Sequence, residues 1–202
     1  MPFSPSALSE RIRQQFAQSI ETKEAALAQL AQPLERAIEA LTQTILSDGK
    51  VLVCGNGGSA ADAQHLAAEL VGRFEAEREP LSAIALTTDT SILTAVGNDY
   101  TFDQIFARQT RALGRPGDLL VAISTSGNSA NVIEAIRAAQ EKEMRVLALT
   151  GKGGGEIGAL LLADDIHLCV PAKRTARIQE VHLLLLHCLC DGIDHLLLGD
   201  EA

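Results

Sequence analysis

The sequence predicts an α/β fold: a five-stranded parallel sheet flanked by helices, in a flavodoxin-like three-layer arrangement, with an N-terminal helical pair ahead of it. Three observations carry this. Five short apolar runs, at 51–54, 81–87, 119–123, 145–150 and 166–170, read as buried strands. Helical patterns separate them, at 60–74, about 101–113, 130–143 and 156–162, and such alternation puts strands in one parallel sheet with helices on both faces. The chain has 202 residues, enough for one sizeable core and too few for two ordinary domains. Residues 1–202 are therefore expected to form a single domain, with helices over 1–47 and an α/β core with a C-terminal helix over 50–202.

In the N-terminal segment Leu8, Ile12, Phe16 and Ile20 recur every fourth residue, which predicts a helix. Pro33 suits the first turn of a second helix running to about residue 46, and Ser47-Asp48-Gly49 supplies a stop. Each helix has one apolar face, which can pack on the core or on another subunit; the pattern leaves both open. A last helix, about 175–198, is apolar nearly all round at its centre, as expected of a helix buried in the protein or in a subunit interface.

Composition excludes several classes. Hydrophobic residues make up 47% and charged residues 21%, a globular balance. A formal net charge of −9 argues against a nucleic-acid or membrane-surface binder, and 3% aromatics leave little for base stacking. Cys54, Cys169, Cys188 and Cys190 match no zinc-finger or redox spacing and read as reduced, buried thiols. No signal-peptide core begins the chain, and the apolar run 181–190 is too short to span a bilayer. The expectation is a soluble cytoplasmic protein with no nucleic-acid or membrane partner.

Ligands of open α/β sheets bind beyond the carboxyl ends of the strands. After the first strand comes Gly55-Asn56-Gly57-Gly58-Ser59, then a helix at once. Glycines there let backbone amides approach a ligand, and a helix N-terminus favours an anion. The spacing fits neither a Walker loop nor a Rossmann fingerprint. After the third strand comes Ser124-Thr125-Ser126-Gly127-Asn128-Ser129, with four hydroxyls and an amide in six residues where one hydroxyl would cap a helix. Such neutral donors suit a sugar phosphate held by an acidic protein. A third glycine cluster, 151–155, reads as a flexible surface loop.

His65 and Glu69 lie four apart on the helix after the first loop, on one face and about 6 Å apart along its axis. Spacing alone describes a surface pair; the position just beyond a phosphate-type loop favours a metal or proton-transfer role. On the last helix, Gln179 and His187 are about 80° and 12 Å apart, while His182 and His187 diverge by about 140°. Helical geometry does not choose between the two histidines. Lys173, Arg174 and Arg177 could assist an anion or form a solvated turn.

Three motifs in this order, Cys54-Gly-Asn-Gly-Gly-Ser-Ala60, Ser124-Thr-Ser-Gly-Asn-Ser-Ala-Asn131 and Ala176-Arg-Ile-Gln-Glu180, resemble the sugar isomerase (SIS) domain family, and within it the sedoheptulose-7-phosphate (phosphoheptose) isomerases. The resemblance spans nearly the whole chain. It implies conversion of D-sedoheptulose 7-phosphate to D-glycero-D-manno-heptose 7-phosphate through an enediol. That is the first step of ADP-heptose biosynthesis for lipopolysaccharide core. It also implies a cytoplasmic homotetramer with one zinc per subunit, at partial occupancy where the ligand set is weak. The implied metal ligands are His65, Glu69, Gln179 and His187. The implied substrate contacts are Asn56, Gly57, Gly58, Glu69, Asn98, Asp99, Ser124, Thr125, Ser126, Ser129 and Gln179. Glu69 is the implied general base and His187 the general acid, a choice over His182 that comes from the resemblance. Some members carry Asp where this chain has Ala176.

Two other readings belong to the same fold. One is a SIS-domain interaction protein that binds the bacterial replication initiator, which is similar at Arg73-Phe-Glu75, Ala85-Leu-Thr-Thr-Asp89 and Cys188-Leu-Cys-Asp191. The other is a sensor that binds a sugar phosphate without turnover. Glu69, His187 and Gly58 together favour the isomerase over the interaction protein; only an assay separates enzyme from sensor.

Overall fold

The computed structural model describes residues 5–199. In chain order the elements are α1 (Pro5–Leu46), β1 (Val51–Gly55), α2 (Gly58–Val71), β2 (Ala83–Ala85), α3 (Thr90–Asp99), a 3-10 turn (Phe102–Gln104), α4 (Ile105–Leu113), β3 (Leu119–Ser124), α5 (Ala130–Glu141), β4 (Arg145–Thr150), α6 (Gly155–Leu160), β5 (Ile166–Cys169) and α7 (Thr175–Leu198). All strand pairs are parallel, in the order β2-β1-β3-β4-β5. The chain leaves β1 for β2 on one side and returns to β3 on the other, so the strand order reverses between β1 and β3. That switch point is where open α/β sheets bind ligands.

Alternation along each strand feeds two cores. Val51, Val53, Leu119, Val121, Ile123, Leu147 and Leu149 face the layer built by α1, α2 and α7. Leu52, Cys54, Leu120, Ala122, Val146 and Ala148 face the layer that includes α4 and α5. Burial pushes the Cys54 thiol up to about 12, consistent with an inert thiol.

The N-terminal segment differs from the expected helical pair: Pro33 lies inside one continuous helix, α1. Proline removes one intrahelical hydrogen bond and costs about 3 kcal/mol in a helix interior. Leu30 and Leu41 are buried on either side of it, and two buried leucines contribute about 3–6 kcal/mol, so tertiary packing carries the helix through. The question of which surface α1 faces resolves by halves. Ala26, Leu30, Ala37, Ala40 and Leu41 enter the core, whereas Leu8, Ile12, Phe16 and Ile20 stay exposed.

Helix α3 has no counterpart in the sequence reading. Its Thr, Ile, Val and Gly content is poor for a helix, but Asp89 caps it, accepting a hydrogen bond from the Ile92 amide at 2.9 Å. Helix α7 has mean hydropathy 1.5 over its most apolar window and is long and apolar enough to cross a membrane. Ile178, Val181, Leu185, Leu186, Leu189 and Ile193 bury its inner face beside the sheet, which accounts for that composition in a core helix.

Candidate functional site at the β1–β3 switch point

Two loops and two helices build the site. The loop after β1 turns through Gly57, at φ 57°, into α2. A Cβ at Gly58 would strike the Gln179 side-chain amide, so the glycine lets α7 bring Gln179 against this loop. Asn56 and Asn131 exchange two amide hydrogen bonds, at 2.7 and 2.8 Å, across the switch point. Asn131 is buried and ties the loop after β1 to α5.

In the loop after β3 the hydroxyls of Ser124 and Ser129 lie 2.9 Å apart, and Ser126 Oγ accepts from the Asn128 amide at 3.1 Å. Thr125, Ser126 and Ser129 are half-buried, at the mouth of α5, whose first-turn N–H groups lack partners within the helix. The cluster at 151–155 lies at the surface through Lys152, Gly153 and Gly155, as expected, but Gly151 and Gly154 are buried and the segment that follows is tied to this loop. The Ile157 amide donates to the Gly127 carbonyl at 3.0 Å, and the Glu156 amide to Asn128 Oδ1 at 2.9 Å. Gly127 and Gly154 meet backbone to backbone with no room for a Cβ.

Helices α2 and α7 run side by side in the same direction. Gln179 meets Gly58 at the start of α2; two turns on, the rings of His65 and His187 stack edge to face, 5.1 Å between centroids. His65 Nε2 is 2.9 Å from Glu69 Oε1, and the Phe74 ring lies tilted against His187 with 5.6 Å between centroids. Gln179 and His187 therefore face different turns of α2, and Gln179 is not gathered with His65 and Glu69. Cys190, close by, is held neutral: burial, then the charges of Glu69 and Asp194, push its thiol up to about 12. Asp62, three residues before His65, went unnoticed in sequence because nothing marks it there. Burial raises its carboxyl, His65 partly offsets this, and its Oδ2 is buried without a hydrogen-bond partner.

The structure separates the two histidines. His182 is fully buried on the inner side of α7, its Nε2–H donating to the Thr150 carbonyl at 3.0 Å. Desolvation lowers its pKa to about 4, against a small opposing effect of that bond. The unfolded chain should protonate His182 near pH 6.5 while the native state does so only near 4. Stability is therefore present above 6.5 and lost as pH falls towards 4. Thermal melts should show a larger loss between pH 7 and pH 5 in the unmodified chain than in His182→Gln; equal losses would contradict this.

Asn98 and Asp99 are not gathered with the rest. They are exposed at the end of α3, where Asn98 Nδ2 donates to Asp99 Oδ1 at 2.9 Å, and neither bonds another predicted site residue. Arg174 and Arg177 serve α1, donating to Gln18 Oε1 at 2.8 Å and to the Gln15 carbonyl at 2.5 Å.

The donors His65, His187 and Glu69 are of the kinds that zinc prefers; the Gln179 amide, a weaker ligand, would have to turn away from Gly58 to join them. No group of three His, Cys, Asp or Glu among the described residues already stands in a metal-holding arrangement. The 2.9 Å between His65 Nε2 and Glu69 Oε1 is a hydrogen bond, whereas two ligands of one tetrahedral zinc stand about 3.4 Å apart. A small opening of this pair would admit an ion, so His65, Glu69 and His187 fit one.

Residues 14–151 match the SIS domain family. The chain belongs to it. Among its relatives, the phosphoheptose isomerase of Azoarcus sp. (strain BH72) is 66% identical over 194 residues, covering 96% of this chain and 98% of the relative. That of Aromatoleum aromaticum is 68% identical with the same coverage. The solved phosphoheptose isomerase of Neisseria gonorrhoeae superposes with TM-score 0.89 at 58% identity, over 93% of this chain and 98% of that one. The SIS architecture, five parallel strands between helical layers, is thus shared with phosphoheptose isomerases along nearly the whole length.

Proposed function

We propose that this SIS-domain chain is a phosphoheptose isomerase that interconverts D-sedoheptulose 7-phosphate and D-glycero-D-manno-heptose 7-phosphate. The observation that carries it is the meeting of Glu69, His65 and His187 between α2 and α7, a helix away from a hydroxyl-rich loop at the switch point. Near-complete coverage of relatives of that name at 66–68% identity supports the same reading.

The hydroxyls of Ser124, Thr125, Ser126 and Ser129, with the N–H groups at the start of α5, hold the phosphate without a cation. The loop Asn56-Gly57-Gly58 lines the sugar, with Gln179 beside it. Holding the substrate at both ends supplies the orientation from which much of the rate should come. Glu69 takes the proton from the carbon beside the carbonyl and returns it to the neighbouring carbon. His187 gives a proton to the carbonyl oxygen and then takes the one on the neighbouring hydroxyl oxygen, so the enediol collapses to the aldose with both groups restored. Zinc, held by His65, Glu69, His187 and Gln179, would polarise substrate oxygens. A ligand set containing an amide suits partial occupancy.

The exposed Leu8, Ile12, Phe16 and Ile20 stripe on α1 supports a homotetramer in which other copies cover it. Asn98 and Asp99 then reach substrate through an arrangement the single chain lacks. Four free cysteines suit a reducing cytoplasm. The rival initiator-binding and sensor readings lack an observation of their own. Turnover of sedoheptulose 7-phosphate measured with and without chelator, alongside metal analysis and sedimentation, tests the set. Activity that falls on chelation in a tetramer is expected; full activity in a metal-free monomer would overturn the metal and assembly assignments.

A further inference from the structure

We propose that Arg78, paired with Asp194, is a positioning residue that sets the separation of Glu69 and His187, an inference that rests on the isomerase reading above. Arg78 lies in the loop after α2 and folds back beneath its last turn. Its Nη2 donates to the carbonyl of Glu69 itself at 2.9 Å, and its Nη1 to the next carbonyl, Leu70, at 3.0 Å. These are among the carbonyls that a helix end leaves without partners, and a cation there also complements the helix dipole. Its Nε donates to Asp194 Oδ1 at 2.6 Å, and both side chains are almost fully buried, 3% and 4% exposed.

Asp194 stands on α7 seven residues beyond His187, which puts the two on the same face of the helix. One guanidinium therefore grips the backbone of the proposed base and the helix of the proposed acid. It forms the third rung of the α2–α7 seam, after Gln179 at Gly58 and His187 at His65.

Asp194 Oδ2 is buried without a hydrogen-bond partner. A buried ion pair with an unsatisfied oxygen is a poor stabiliser, and apolar residues in its place often serve stability as well or better. What they could not reproduce is three donors in one plane fixing two helices at once. Misplacing a reacting group by about 1 Å can cost about 100-fold in rate, so the clamp acts on kcat.

The test uses the full chain and three variants: Arg78→Lys, Asp194→Asn and the double replacement Arg78→Met/Asp194→Leu. The expected result is a fall in kcat of about 10- to 100-fold, with KM within about twofold. The double variant, where folded, should keep its melting temperature without recovering kcat. Should it not fold, Arg78→Lys decides, since it keeps the charge but not the fork. Recovery of kcat with stability, an unchanged kcat, or a change confined to KM overturns the proposal. An imidazole proton–nitrogen NMR spectrum gives a readout independent of turnover. The His65 and His187 signals should move in Arg78→Lys while that of His182 stays; His65 and His187 signals that do not move overturn the clamp. Absence of turnover in the unmodified chain counts against the isomerase reading alone, and the NMR comparison still decides the clamp.

Discussion

Glu69→Gln is expected to lower kcat by about 100- to 10,000-fold, the usual contribution of a positioned general base, with KM changed by no more than a few fold. The substitution keeps size and shape, and the glutamine amide can still meet His65 Nε2, now 2.9 Å from Glu69 Oε1. The helix and the His65–His187 contact should therefore survive, and the loss should fall on the proton-transfer step. Because Glu69 is also a proposed zinc ligand, metal content must be measured in both proteins. Equal metal with collapsed kcat identifies the base. Activity lost in proportion to metal makes Glu69 a ligand that acts through zinc, and near-normal turnover removes it from the chemistry.

The second large effect lies in the proposed phosphate loop. Gly127 has φ 69°, and a Cβ there would run into the Gly154 carbonyl and the Gly155 amide. Both obstacles are backbone: the Gly154 carbonyl accepts from the Gly158 amide at 3.1 Å, and the Ile157 and Glu156 amides tie this segment to Gly127 and Asn128, so neither can step aside cheaply. Gly127→Ala should cost about 2–4 kcal/mol, from a strained φ together with overpacking. It should also raise KM about tenfold or more, as the hydroxyls of Ser124 and Ser129 lose register with the start of α5. Denaturant unfolding and initial-rate kinetics check the two parts. An unchanged midpoint and KM would mean that the loop tolerates displacement and that its packing does not hold substrate.

Much of this site was legible because its residues sit at strand ends. Val51 to Cys54 and Leu119 to Ile123 are unbroken apolar runs, and glycine- and hydroxyl-rich turns after them mark the carboxyl edge of a parallel sheet. His65 and Glu69 were legible as a pair because helix spacing alone makes them neighbours. What stayed hidden depends on distant segments meeting. Helical angles could not choose between His182 and His187, since the choice rests on which side of α7 the sheet covers. Arg78 and Asp194 are 116 residues apart and carry no motif. The close approach of Gly154 and Gly155 to Gly127 carries no local signal, because it joins two different loops. Pro33 misled in the opposite sense: a local breaker was overridden by leucines packed on either side of it.

The exposed face of α1 gives the −9 net charge and 202 residues their setting. In the proposed reading the chain holds its anion with neutral donors and leaves part of its apolar surface for other copies of itself.

The most direct measurement is to incubate the purified chain with D-sedoheptulose 7-phosphate and follow the sugar signals by NMR to equilibrium. Accumulation of the aldose 7-phosphate, abolished in Glu69→Gln, is the predicted result. Saturable binding of the ketose phosphate with no aldose formed would contradict it, and would make the same loops and helices those of a sensor.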